Sequence, residues 1–221
     1  MSESRFDRTA DRYAQASALK DWSRFVELCD PRPDDRALDV AAGPGFLSAA
    51  LAPLVAEATA LDASEALLGH APEGVRRVVG TAERMPFADG SFDLVTIVNS
   101  LHHVDDMEAT LGEMVRVLAP GGRIALQDYR ADDDRAAAER WDAVERLRDD
   151  GHRALPRRDD VIAILAGHGL RLEEEREWTS AWQLEPWLEM AGTPEGNRAR
   201  IRELVGAPGF ELTVWVARFG R

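Results

Sequence analysis

Residues 37–48, Ala-Leu-Asp-Val-Ala-Ala-Gly-Pro-Gly-Phe-Leu-Ser, decide how this chain is read. Arg36–Val40 reads as a short buried strand and the small residues 41–45 as a turn. Phe46, Leu47, Ala50, Leu51 and Leu54 then repeat at helical spacing. Gly43 and Gly45 permit positive φ and let a ligand approach the backbone without interference from a Cβ. A helix that begins near Phe46 aims free N–H groups at such a ligand. A plain structural turn has the same appearance, so the distinction rests on the residues beyond the helix.

Asp62 supplies the distinction. It comes directly after a second strand at Glu57–Leu61 and seventeen positions beyond Gly45. A carboxylate at the end of the second strand can accept the hydroxyl hydrogens of a ribose. It also fits as the N-cap of a helix over 63–69, and the two roles are compatible. Turn and carboxylate together describe a nucleoside site at the carboxyl edge of a sheet. A dinucleotide loop reads G-x-G-x-x-G/A. Here Gly-Pro-Gly runs into Phe46-Leu-Ser48, which matches that spacing poorly and crowds a diphosphate.

Farther along the chain, strand-like runs recur at Val75–Val79, Phe92–Val98 and Arg123–Asp128. Met107, Leu111, Met114, Val115 and Leu118 form a helical stripe that Gly121–Gly122 is expected to stop. Strands alternating with helices over short connections imply a parallel sheet covered on both faces. Beyond it, Asp132–Asp149 reads as a helix and a second helix runs from Asp159 to Gly167–Gly169. Leu170–Trp178 reads as a strand, and residues 182–206 as two helices around Pro186 and Pro194. Phe210, Leu212, Val214 and Val216 alternate in a closing strand expected to pair inside the sheet. The first thirty residues form a helical preface.

Composition removes several function classes. Of 221 residues, 45% are hydrophobic and 30% charged, which suits one folded domain and not a disordered chain. The net charge of −13, from 27 basic and 40 acidic residues, argues against broad nucleic-acid binding. Arg153, Arg157 and Arg158 form a local basic cluster, read as a solvated helix start. No apolar run is long enough for membrane insertion, and MSESRFDRTADRYAQ lacks a secretory signal. Cys29 is the single cysteine, which argues against a disulfide or a cysteine-ligated zinc site; no metal is expected. These features make a cytoplasmic location the expectation.

The ordered strings LDVAAGPG (38–45), ALDAS (60–64), GTAERMPFADGSFDLV (80–95), NSLHHV (99–104) and EMVRVLAPGGRIAL (113–126) resemble class I S-adenosylmethionine-dependent methyltransferases. The likeness is to the small-molecule branch similar to ubiquinone and menaquinone methyltransferases. It implies a Rossmann-like α/β fold, a doubly wound, mostly parallel seven-stranded sheet with an antiparallel last strand. It implies one domain over 1–221, with a helical lid at 1–30, a cofactor-binding core at 31–130 and a C-terminal part at 131–221. Substrate-covering helices are expected near 182–206. The implied cofactor is S-adenosylmethionine and the implied partner a small-molecule acceptor.

The resemblance carries roles onto matching residues. Gly43 and Gly45 would line the methionine and ribose, and Asp62 would hold the ribose hydroxyls with Ala63 beside the adenine. Ala82 and Glu83 would flank the adenine, and Asn99 would lie under the methionine part. Ala41 stands where the family usually has its first glycine, which places a methyl group near the methionine moiety. Asp39 would organise the loop.

Methyl transfer is an in-line displacement at a carbon activated by a sulfonium, so alignment and exclusion of water dominate. A base is needed only where the acceptor must lose a proton. His102 and His103 follow the fourth strand and are the candidates for that base; each also fits a structural role. Tyr129 ends the fifth strand and is a candidate for acceptor contact. Arg130 is read as pairing with an acidic acceptor group or with Asp132, and His152 as a surface residue or one that reaches inward from the lid region. Phe6, Tyr13 and Trp22 mark the lid, and Trp182, Trp187 and Met190 are candidates for an aromatic acceptor wall or for docking the lid. Two alternatives stay open here: a nicotinamide-dependent oxidoreductase, and a fold-alike that binds the same cofactor but rearranges its substrate or regulates a partner.

Overall fold

The computed structural model describes residues 10–221; Phe6 and the side chain of Tyr13 lie outside what is described. The described residues form a seven-stranded sheet of β1 (Arg36–Val40), β2 (Glu57–Asp62), β3 (Arg76–Val79), β4 (Phe92–Val98), β5 (Leu118–Tyr129), β6 (Arg171–Gln183) and β7 (Gly209–Gly220). The strand order is β3-β2-β1-β4-β5-β7-β6. The first five strands pair in parallel, and β7 runs antiparallel to both neighbours, inserted between β5 and β6. Strand addition reverses between β1 and β4. In an open α/β sheet such a reversal leaves a crevice beyond the carboxyl ends of the strands.

Alternation along the strands divides the core into two layers. Leu38, Val40, Val95, Ile97, Ile124, Leu126 and Trp215 bury one face beneath α5 (Met107–Val117) and α7 (Arg158–Gly167). Ala37, Leu94, Ala125, Val214 and Val216 bury the other against α2 (Ser23–Cys29) and α3 (Phe46–Leu51). Before α2 lies α1 (Ala10–Ala18), and after β2 the single turn α4 (Glu65–Leu68). A separate cluster of Val144, Trp187, Leu188 and Ile201 joins α6 (Arg135–Arg148), α8 (Leu184–Met190) and α9 (Glu195–Val205). Asp106 and Asp134 cap α5 and α6 by accepting backbone N–H groups of their first turns.

A buried arginine fastens α2 to the sheet. Arg123 donates from Nε to the Cys29 carbonyl at 2.7 Å and from its guanidinium to Asp35 Oδ2 at 2.5 Å and to the Asp30 carbonyl. Only 5% of the Arg123 side chain and 6% of the Asp35 side chain are exposed, so the pair is dry.

Two differences from the sequence expectation have a clear physical cause. β6 continues to Gln183 and takes Trp182 into the sheet, because the half-buried positions Trp178, Ser180 and Trp182 extend its alternation. α5 ends at Val117, and Gly121–Gly122 lie inside β5 instead of stopping the helix. A Cβ at Gly122 would meet the Asp93 carbonyl at 2.9 Å, so glycine there permits close approach to β4.

Candidate functional site

The crevice at the carboxyl edge holds a cavity of about 390 Å³, within the range of small-molecule sites. Its floor is the turn after β1. Ala42 N–H donates to the Leu61 carbonyl at 2.9 Å and Gly45 N–H to the Ala42 carbonyl at 3.0 Å. Gly43 takes φ +55° and donates its N–H to Asp62 Oδ2 at 2.7 Å. A Cβ at Gly43 would meet nothing within 4 Å, so this stretch of backbone is open. Ala41 takes φ +51°, which strains an L-residue by roughly 1–2 kcal/mol.

Gly45, the second glycine of the turn, also takes a positive φ, +69°. It does not line the cavity, and its Cβ would stand 2.8 Å from the Ala71 Cβ. Its missing side chain therefore lets the segment after α4 pack against the turn. Asp62 Oδ1 accepts the Ser64 N–H at 2.8 Å, and Ser64, not Asp62, is the N-cap of α4. The carboxylate is thus held by two backbone donors at the cleft edge.

Of the remaining residues expected to bind the cofactor, Ala41, Ala63, Ala82, Glu83 and Asn99 all line the same cavity. Asn99 is at φ +50°, with its N–H donated to the Gln127 carbonyl at 2.7 Å. Glu83 Oε1 accepts the Asp105 N–H at 3.0 Å, and Asp105 in turn pairs with Arg153 at 2.7 Å. Trp22 and Lys20 line the cavity from the N-terminal segment, and Gly151 and Arg153 line it from the loop after α6. Sequence reading missed Lys20, Ser100, Gly151 and Arg153 as lining residues; nothing in their spacing distinguishes them.

Asp39 lies beneath the turn, buried, accepting from Ser48 Oγ at 2.9 Å and Thr96 Oγ1 at 3.1 Å. Burial pushes its carboxyl from the ordinary 3.8 up to about 7, with the charge of Asp62 acting in the same direction and the two hydroxyl bonds against it. Between those values the folded chain keeps a proton that the unfolded chain has released. Stability therefore falls as pH rises through this window, by up to about 1.4 kcal/mol per pH unit, and levels off above it. Asp39→Asn is expected to flatten that contribution. Urea unfolding of both proteins at pH 5 and pH 8 checks this: an unchanged difference between the two pH values would contradict it.

The three candidate catalytic residues separate. His102 Nδ1 lies 2.6 Å from Asp128 Oδ1, buried and away from the cavity. Asp128 also accepts the N–H groups of His102 (3.3 Å) and Tyr129 (2.7 Å), so it locks the turn after β4. His103 lines the cavity, its ring centroid 4.1 Å from that of His102. Tyr129 stands outside the cavity against Trp182, and burial, together with the charge of Asp128, pushes its phenol up to about 12.

Two further expectations need correction. His152 is not a surface residue; its side chain is fully buried with Nε2 2.8 Å from Asp142, because α6 folds that carboxylate back beneath the loop. Arg130 pairs with Asp133 (2.9 Å) and Glu177 (2.7 Å), not with Asp132. Trp182, Trp187 and Met190 do not line the cavity; Trp187 packs on Trp141 and Phe210 with ring centroids 5.8 and 4.7 Å away. Arg158 heads α7 and is neutralised by Glu175 and Asp159 at 2.6 and 2.9 Å.

Comparison with known proteins fits this geometry. The family described as methyltransferase domain matches residues 38–126, the stretch that holds the turn, Asp62 and both neighbouring histidines. A demethylmenaquinone methyltransferase of Mycobacterium sp. (strain KMS) is 35% identical over 214 residues, covering 92% of this chain and 88% of the relative. The uncharacterized methyltransferase YcgJ of Bacillus subtilis (strain 168) is 29% identical over 211 residues, covering 90% and 83%. The crystal structure of YcgJ is similar with a TM-score of 0.86 and 26% identity, over 90% of this chain and 97% of that one.

Proposed function

Because this chain belongs to the class I S-adenosylmethionine-dependent methyltransferases, we propose that its cleft binds S-adenosylmethionine and that it moves the methyl group to a small-molecule acceptor. One observation carries the proposal: the open backbone at Gly43 and the carboxylate of Asp62 converge on a single cavity of about 390 Å³. Bare backbone suits the close approach of a nucleoside, and the several lone pairs of a fixed carboxylate suit two ribose hydroxyls. In this reading Asp62 holds the ribose and Ala63, Ala82 and Glu83 flank the adenine. Ala41, Gly43 and Asn99 hold the methionine part.

When bound, the cofactor supplies a methyl carbon made electrophilic by its sulfonium. The chain's own share is alignment and enclosure. Trp22 and Lys20 wall the cavity from the N-terminal segment and Gly151 and Arg153 from the loop after α6. Arg153 secures its flank by donating its N–H to the His102 carbonyl at 2.8 Å and its Nε to Asp105 at 2.7 Å. In this reading His103, which lines the cavity, takes a proton from an acceptor that must lose one. His102 and Asp128 hold the turn that carries it. In this reading the described N-terminal segment from residue 10 to 30 acts as the lid and 31–130 as the cofactor-binding core, while 131–221 contributes Gly151 and Arg153 to the cavity.

The test is calorimetry with S-adenosylhomocysteine, followed by incubation with S-adenosylmethionine and pooled metabolites. Saturable binding and a product heavier by one CH₂ are expected. Absence of binding heat overturns the proposal.

A further inference from the structure

The segment between β3 and β4, residues 80–91, contains no helix or extended strand; its one ladder contact is an isolated bridge between Thr81 and Arg84. It nevertheless presents Ala82 and Glu83 to the cavity. An irregular loop must have its backbone groups satisfied from elsewhere. Here three backbone groups in its middle are met by two side chains of α5, one turn apart and outside the cavity. Glu113 Oε2 accepts the Met85 N–H at 2.8 Å. Arg116 donates to the Met85 carbonyl at 3.1 Å, the Phe87 carbonyl at 2.8 Å and Asp89 Oδ1 at 2.8 Å. The two side chains also lock each other, with Arg116 Nε 2.5 Å and Nη2 2.8 Å from the Glu113 carboxylate.

Both polar groups of the Met85 residue are thus gripped by one ion pair, two residues beyond Glu83. The Met85 side chain is buried in the core, which fixes the same point from below. Arg116 also receives the Gly90 N–H at its own carbonyl, 3.0 Å away, so the loop is tied at its far end too. A planar guanidinium reaches several acceptors in fixed directions at once, which an ammonium cannot. Hydrogen bonding with Glu113 and then Asp89 raises the arginine's affinity for its proton, and Arg116 holds the Glu113 carboxyl below the ordinary range.

We infer that Arg116 and Glu113 are positioning residues that set the cleft's preference for adenine over other purines, by fixing the loop that carries Ala82 and Glu83. The inference rests on the cofactor reading above. Displacing the loop by a fraction of an ångström misaligns its backbone donors and acceptors with the base edge, while the ribose grip of Asp62 on β2 is untouched. Base selectivity should therefore be lost separately from overall binding. A role that only supports the fold would lower affinity for every nucleoside alike.

The experiment measures the affinity of the full chain for S-adenosylhomocysteine and for S-inosylhomocysteine, its deaminated analogue, by calorimetry. The unmodified protein is expected to prefer the adenine compound at least about tenfold, since a site that hydrogen-bonds a base edge rejects the mismatched one. In Arg116→Gln the preference should collapse to within about twofold, with affinity for the inosine compound nearly unchanged. Parallel loss of both affinities, an unchanged preference, or no preference in the unmodified protein would overturn the inference. Arg116→Lys, which keeps the charge but not the fork, should show the same collapse and replaces the glutamine variant if that does not fold. Failure of the unmodified protein to bind either compound instead overturns the cofactor reading, and this inference with it.

Discussion

Asp62→Ala is expected to weaken S-adenosylhomocysteine binding at least about 100-fold. The carboxylate would accept two ribose hydroxyls, and hydrogen bonds to a charged group contribute about 1.5–3 kcal/mol each, so losing both removes roughly 3 kcal/mol or more. The substitution also frees the N–H groups of Gly43 and Ser64, which Asp62 now fixes at 2.7 and 2.8 Å. The floor of the cleft loses its shape together with its acceptor. Asp62→Asn keeps one acceptor oxygen and should fall between the two. Calorimetry gives the affinities, and thermal unfolding without ligand shows whether the fold survives. A change of less than about threefold would mean that the ribose lies elsewhere.

The largest stability effect is expected at the dry pair of Arg123 and Asp35. Arg123→Ala leaves the Asp35 carboxylate buried without its cation and removes the donor to the carbonyls of Cys29 and Asp30. Removing one partner of a buried pair destabilises by about 3–5 kcal/mol. For a domain of this size that lowers Tm by roughly 10 °C. Pairing Arg123→Met with Asp35→Asn, which removes both charges, should recover part of the loss. Urea unfolding of the single and double variants measures this directly; equal losses in both would show that the carbonyl bonds, and not the stranded charge, carry the effect.

How much of the molecule is legible in its sequence depends on the range of each interaction. β1, β2 and β4 are legible almost to the residue because each is a short apolar run that local propensity and burial favour together. The glycine turn and Asp62 are legible because one strand, one turn and one carboxylate lie within a few positions of one another. The division of labour between Gly43 and Gly45 is not. Both take positive φ, and only the nearness of Ala71 shows that the second glycine faces packing and the first the cleft. The His102–Asp128 contact joins residues 26 positions apart on neighbouring strand ends, a relation that spacing does not encode. His152 misleads for the same reason, since its burial depends on how α6 turns Asp142 inward. The local pattern around Pro186 suggests a helix that includes Trp182, whereas pairing with Phe210 on β7 keeps that tryptophan extended. The ion pair of Glu113 and Arg116 does leave a trace, an i,i+3 spacing on one helix face, but nothing local links that pair to Met85.

The placement of β7 has a consequence for how the molecule is made. β7 is made after both β5 and β6, yet its twelve residues fill the gap between them. Until they arrive, the nascent chain carries a naked backbone edge on β5 and a thirteen-residue β6 with no partner. Such edges invite pairing with other chains. The half of the sheet built from β1 to β4 can pair during synthesis, while the other half waits for β7 to close it.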